Sequence, residues 1–279
     1  MTDRLGRVAI VGAGQVGTML GVALRAAGTE VVLSDRRPGA VRESIARGGG
    51  DGEVSLDEAC NADSIVLAVP VPEIVRLIPE IGPKLSPGSF VVDTGSAKRV
   101  VVDAMRENFS TEVHAIGGHP LAGSERRGAE GASPDILEGA VFALAPVRDD
   151  PEAESRGRAL AEAVGSRPVV IDAELHDRVV ATTSHAPHLL AAAVALASRE
   201  LPNDSVRYLA ASGFAGATRL AASDAGMVSG FLAANADAVR DALKAVRAAL
   251  DRAEASLEDA DALRVLFAEA SAAREDALG

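Results

Sequence analysis

Along the first two thirds of the chain, short runs of consecutive apolar, largely β-branched residues alternate with longer stretches whose apolar positions recur at helical spacing. The runs cover residues 7–11, 30–34, 64–69, 89–93, 112–116, 140–145 and 167–171. Continuous apolarity suits a strand buried on both faces, so the runs predict a sheet sandwiched between helices. Strand alternating with helix predicts an α/β, doubly wound, Rossmann-type parallel sheet, and such sheets bind ligands at the carboxyl ends of their strands. From about Ala173 the strand signal stops. Ala-, Leu- and Val-rich segments of helical period follow, including a long one over 224–255, and predict an all-helical second domain with a boundary between 172 and 173. Residues 189–197 are almost unbroken in apolarity, which predicts a homodimer through the helical domain.

Charge narrows the partners. Forty acidic against 28 basic side chains give a formal charge of −12 at pH 7. Such a chain lacks the cationic track that a phosphate backbone needs, which excludes nucleic acid. Every window of eighteen residues contains charge or polarity, so no membrane segment is expected. The single cysteine, Cys60, excludes an intrachain disulfide, and the first residues run straight into a strand. A reducing cytoplasm fits both observations. Arginine occurs 25 times and lysine three times, so a single arginine carries little information.

The segment Val8-Ala-Ile-Val-Gly12-Ala-Gly14-Gln15-Val16-Gly17 sets G-x-G-x-x-G after a strand and before a helical run. Gly12 permits the tight turn, Gly14 lets the backbone approach a pyrophosphate, and Gly17 lets helix pack closely on strand. Asp35 follows at the end of the second run, where a carboxylate accepts ribose hydroxyls and repels a 2′-phosphate. NAD is therefore the expected cofactor. Arg36 and Arg37 keep NADP as the alternative, since a guanidinium there suits a 2′-phosphate. Val69 and Pro70, at the end of the third run, complete the expected cofactor edge.

Three further segments stand where such a sheet puts its chemistry. They are Val92-Asp-Thr-Gly-Ser96-Ala-Lys98, then Gly117-Gly-His119-Pro-Leu-Ala-Gly-Ser124-Glu125, and Ser184-His185-Ala-Pro-His188. His119, on a glycine-flanked loop at a strand's carboxyl end, is placed over a nicotinamide. Imidazole titrates near pH 6.5, so it suits the proton released when an alcohol is oxidised. His114, inside a strand, packs or faces solvent. Ser96 either caps a helix starting near Ala97 or serves the chemistry. Lys98 either holds an anion or solvates its helix. His176-Asp177 reads as an interdomain or helix-start pair, and His185 as a structural hydrogen bonder. His185 and His188 share a helix side without the cluster of a metal site.

With Gly213-Phe-Ala-Gly-Ala-Thr-Arg219-Leu-Ala downstream, the chain resembles the prephenate/arogenate dehydrogenase family of tyrosine biosynthesis. That family carries G-x-G-x-x-G, D-x-x-S-x-K, G-G-H-P-x-A-G-[ST]-E, S-H-x-P-H and G-F-x-D-x-T-R-[IL]-A segments in this order. The resemblance implies His119 as base for the substrate's ring hydroxyl, with Ser96 bonded to the same hydroxyl. It implies Arg219 as carboxylate binder, His188 and Ser184 lining the pocket, and Ser124 and Glu125 at its mouth. Gly216 stands where the family has an acid, and Val228 where it commonly has an aromatic residue. The implied reaction is NAD-dependent oxidative decarboxylation of prephenate to 4-hydroxyphenylpyruvate, with arogenate giving tyrosine as the alternative. A β-hydroxyacid dehydrogenase would place a lysine on a downstream G-x-x-x-K-x-x-N helix, and the helical region has no lysine before Lys244. A sensor that binds NAD(H) without turnover would not need His119 beside the nicotinamide.

Overall fold

The structure, a computed structural model, describes residues 4–122 and 128–279. Each of the seven runs forms a strand: β1 (Val8–Val11), β2 (Val31–Ser34), then after the two-residue β3 (Gly52–Glu53), β4 (Ser64–Leu67), β5 (Phe90–Asp93), β6 (His114–Pro120), β7 (Val141–Pro146) and β8 (Arg167–Val170). They make one sheet in the order β3-β2-β1-β4-β5-β6-β7-β8. Every adjacent pair is parallel except β6 and β7, which run antiparallel. The strands are buried because helices cover both faces. On one side α4 (Val71–Ile81) and α5 (Arg99–Asn108) bring Ile74, Ile78, Val101 and Met105 onto Ala9, Ile65 and Val91. On the other, α1 (Gln15–Ala26), α2 (Ala40–Ala46) and α6 (Pro151–Ala163) bring Leu20, Val41 and Leu160 onto Ile10, Leu33 and Phe90. The short α3 (Leu56–Ala59) opens with a capping box between Ser55 and Glu58.

The structure corrects the position of His119. The expected loop after Ile116 is strand: β6 continues through Gly117 and Gly118, and His119 pairs with Ala143 of β7. The glycines mark close approach rather than a turn, since a Cβ on Gly118 would lie 2.3 Å from the Asp93 carbonyl oxygen.

The remaining elements are helical: α7 (Ala173–Val180), a π turn over Ala181–His185, α8 (Ala186–Ala197), α9 (Asn203–Leu209), α10 (Ser212–Thr218), α11 (Ala225–Ala234), α12 (Ala236–Ala255) and α13 (Ala260–Leu278). Pro187 explains the π turn. It lacks an N–H and its ring crowds the carbonyl one turn earlier, so a continuous helix must widen just before it. The long helix expected over 224–255 breaks at Asn235, whose buried amide donates to the Asp177 carbonyl (2.8 Å) and lies 3.2 Å from Nδ1 of His185. By length and composition the run Ala173–Glu200 is apolar enough to cross a bilayer. It nevertheless buries His176, Asp177 and His185 against protein, which does not suit a lipid-facing span.

Candidate active site

A cleft of about 1290 Å³ opens at the carboxyl ends of β1, β2, β4, β5 and β6 and is closed on its far side by the helical region. Pockets for a single small ligand run to roughly 300–1,000 Å³, so this one has room for a cofactor and a substrate together.

At its cofactor end the glycines divide the work. Gly12 has φ of +109°, and a Cβ there would lie 2.3 Å from the Ala68 carbonyl oxygen, so only glycine fits the turn. Gly14, at the N-cap of α1, has open space where a Cβ would stand, which is what close approach of a pyrophosphate to the helix N-terminus requires. Gln15 and Val16 line the cleft beside it. Gly17 lies beneath: a Cβ would stand 1.9 Å from the Gly12 carbonyl oxygen, so its part is helix packing rather than ligand contact. Asp35 follows β2, accepting N–H bonds from Ala13 and Arg37 (both 2.8 Å). Burial pushes its carboxyl up, but the hydrogen bonds from Arg37 and Ala13 outweigh this and hold it below the usual carboxylate range. Arg36 pairs with Glu73 (3.0 Å), and Val69 and Pro70 line the opposite wall. The residues present therefore fit a dinucleotide whose ribose hydroxyls face Asp35.

At the other end the cleft brings together Ser96, His119, Ser184, His188 and Arg219, five of the residues singled out in the sequence. Ser124 and Glu125 lie outside the described residues. Ser96 does not cap α5: the N–H groups of Lys98 and Arg99 donate instead to the carboxylate of Asp177 on α7 (2.7 and 3.0 Å). Lys98 neither lines the cleft, where it could hold a cofactor or substrate anion, nor is solvated. It is wholly buried, paired with Asp93, and donates to the Gly118 carbonyl (2.7 Å), so it braces the backbone next to His119. Burial pulls its ammonium below the usual lysine range despite Asp93. His114 stands at the start of β6 and pairs with Asp150 (2.9 Å), away from the cleft.

His119 is buried, and burial, with His176, Lys98 and His185 around it, pushes its imidazole well below 6.5. Its Nδ1 lies 2.9 Å from Nε2 of His176, a contact the sequence did not suggest. That leaves Nε2 as the nitrogen for a ligand. The interdomain reading of His176-Asp177 is the one observed, because Asp172 supplies the cap of α7. His185 is structural: burial lowers it from 6.5 to about 4, and its ring stacks on Phe231 with centroids 4.6 Å apart. The Phe231 ring also meets His188 edge-on at 5.3 Å, and with Met227 and Leu220 it supplies an apolar wall that the sequence did not single out. Neither Gly216 nor Val228 lines the cleft, since Gly216 is exposed on α10 and Val228 packs on the sheet-domain core.

Two family descriptions match this chain: "Prephenate dehydrogenase, nucleotide-binding domain" over residues 20–170, and "Prephenate dehydrogenase, dimerization domain" over residues 172–269. A prephenate dehydrogenase of Lactococcus lactis is 30% identical over 96% of this chain and 77% of its own length. A cyclohexadienyl dehydrogenase of Zymomonas mobilis is 30% identical over 96% of this chain and 94% of its own. Among solved structures, prephenate dehydrogenase of Aquifex aeolicus in complex with hydroxyphenyl propionate and NAD+ superposes with a TM-score of 0.88 at 25% identity, covering 97% of this chain and 98% of that one. Arogenate dehydrogenase of Synechocystis does so with a TM-score of 0.81 at 25% identity, covering 98% and 100%. A glycine cradle, an acid for the ribose and a buried histidine in one cleft agree with these matches, and the chain belongs to the prephenate dehydrogenase family of NAD-dependent oxidoreductases.

Proposed function

We propose that the cleft carries out the oxidative decarboxylation of prephenate, with His119 as the base. The observation that carries this is a buried, neutral imidazole with Nε2 free of its histidine neighbour, in one cleft with the glycine cradle and Arg219. NAD supplies the acceptor for the hydride that leaves the ring carbinol carbon. The carbinol proton passes to Nε2 of His119, and the Ser96 hydroxyl hydrogen-bonds the same oxygen. Arg219 holds a substrate carboxylate, for which a planar guanidinium offers two parallel N–H bonds. As the carbinol becomes a carbonyl-like centre, the bond to the ring carboxylate breaks, its electrons complete the aromatic ring, and carbon dioxide leaves. Ser184 and His188 form the pocket wall. Residues 1–172 are the nucleotide-binding unit and 173–279 the substrate and dimerisation unit of a cytoplasmic homodimer.

The keto side chain of prephenate suits the site better than the ammonium of arogenate, because a buried ammonium needs a carboxylate partner. Gly216 stands outside the cleft, and among the described residues Asp224, the acid that follows Arg219 in the cleft lining, already accepts the Met227 N–H as the cap of α11. Absorbance at 340 nm with NAD and each substrate tests both statements. Prephenate is expected to give the higher kcat/KM. No reduction with either substrate overturns the reaction, and an arogenate value equal to or above that for prephenate overturns the preference.

A further inference from the structure

A base must hold the proton it takes, and His119 sits where that is costly. It is buried beside the Lys98 ammonium and the imidazoles of His176 and His185, and Arg219 lines the same cleft. Among the described residues no carboxylate bonds its ring: Asp93 is taken up by Lys98 and by the N–H groups of Gly95 (2.7 Å) and Gly118 (2.9 Å). The way out lies behind the ring. Nδ1 of His119 is 2.9 Å from Nε2 of His176, and Nδ1 of His176 is 2.8 Å from Oδ1 of Asp177. The two imidazoles meet edge to face with centroids 5.1 Å apart.

Burial pushes the Asp177 carboxyl up, but hydrogen bonds from His176 and from the amides of Lys98 and Arg99 hold it below the usual range. An ionised carboxylate only accepts. Nδ1 of His176 therefore carries hydrogen, and the neutral ring has its lone pair on Nε2. That lone pair requires the hydrogen of His119 on Nδ1, which leaves the His119 lone pair on Nε2. One carboxylate thus sets both tautomers, and the one it imposes on His119 is the one a base needs.

We propose that His176 and Asp177 form a proton relay behind His119. The proposal rests on His119 being the base. As Nε2 of His119 takes the hydroxyl proton, the Nδ1–H bond of His119 breaks and its proton passes to Nε2 of His176. One O–H and one N–H bond break, two N–H bonds form, and no electrons change hands. His119 stays neutral throughout, and the imidazolium rests on His176 beside the Asp177 carboxylate. Return of the proton to water resets the chain. His176 and Asp177 are positioning residues, and because they stand on α7 while His119 stands on β6, the relay exists only while the sheet and helical domains are packed together.

The test compares His119→Asn, His176→Asn and Asp177→Asn in the full-length protein, by kcat and KM against pH, NAD affinity, and 15N NMR of labelled histidines. Asparagine at 177 carries no charge and has one acceptor oxygen for the three N–H groups that the two Asp177 oxygens now take, so hydrogen is no longer held on Nδ1 of His176 and the anion beside its imidazolium is gone. The kcat of Asp177→Asn is expected to fall about 10²-fold, with KM and NAD affinity within about threefold of the unmodified protein. In His176→Asn the resting place of the charge is gone, so the neutral base persists to lower pH. The acid limb of kcat moves down in pH, and the plateau falls about 10-fold. The unmodified protein is expected to show His119 as the Nδ1–H tautomer, a readout that stands even where a variant fails to fold. Unchanged kcat and acid limb in both His176→Asn and Asp177→Asn, or an Nε2–H tautomer of His119 in the unmodified protein, overturns the relay. If His119→Asn itself keeps its kcat, it is the assignment of the base that falls; if only His119→Asn loses activity, the relay alone falls.

Discussion

The sheet domain and the helical domain solve the burial problem in opposite ways. The first closes its own core: Phe90, Ile10, Leu33, Ile74 and Phe142 are wholly buried, in clusters on the two faces of the sheet. The second closes almost nothing: its own buried cluster is Ala181, Ala186, Val239 and Ala242 among the described residues, while Leu209 is 82% and Phe267 68% exposed. No residue of α13 is buried, and Arg252 and Glu269 make an ion pair (2.6 Å) that ties it to α12. Covering that apolar surface is the part a second copy would play in the proposed homodimer. The cleft lies between the two solutions, with its cofactor end on the self-sufficient domain and part of its substrate wall on the other.

The sharpest way to break this contrast is to remove one phenylalanine from each region. Phe90→Ala opens a cavity at the centre of the sheet, where the Arg156 guanidinium also sits over the ring (5.1 Å), and is expected to destabilise the protein by about 3–5 kcal/mol in urea unfolding. Phe267→Ala removes a ring that touches little within its own chain. It is expected to leave the unfolding of the sheet domain unchanged and to raise the dimer dissociation constant, read by sedimentation over a dilution series. Equal losses of chain stability from both would show that the helical core is not partner-dependent.

Next in size is the chemistry on the sheet side. His119→Asn keeps a polar side chain of similar reach but removes the proton acceptor, so kcat is expected to fall by at least about 10²-fold with NAD affinity unchanged. Stopped-flow reduction of NAD separates the two. Retention of most of kcat would shift the base to His188. On the helical side, Arg219→Ala removes an interaction present in both ground and transition states, so KM is expected to rise about 10-fold or more with kcat little changed. A pure kcat effect there would contradict a carboxylate role.

The same contrast decides how much was legible in the sequence. Strands buried on both faces read as unbroken apolar runs, so all seven long strands are visible, whereas β3, two residues long, has no pattern to show. An apolar run carries no direction, which hides the antiparallel β7. Gly117 and Gly118 read as a turn because glycine is scarce inside strands, yet here they let β6 press on Asp93 and Phe142. Much of the site was legible because its polar residues stand in contiguous motifs at element ends. What was not legible depends on residues distant in sequence: His176 meets His119 across 57 positions, and Phe231 looks like any core aromatic until it stacks on His185. The break at Asn235 likewise follows from the Asp177 carbonyl and His185, which no local pattern displays.

The smallest effect tests whether cofactor choice belongs to the sheet domain alone. Asp35 is held ionised, its two oxygens accept from Ala13 and Arg37, and Arg37 also pairs with it (3.2 Å). A 2′-phosphate placed here would meet that charge and compete for the same guanidinium. Asp35→Ser removes the charge, keeps one acceptor, and releases Arg37, beside Arg36, for a phosphate. The ratio of kcat/KM for NAD over NADP is expected to fall about 10-fold, which is about 1.4 kcal/mol. Because Asp35 touches nothing in the helical region, KM for prephenate and the dimer dissociation constant should not move. An unchanged ratio would mean that Arg36 and Arg37, not Asp35, set the choice, and a shift in dimerisation would mean that the two domains are less separate than their cores suggest.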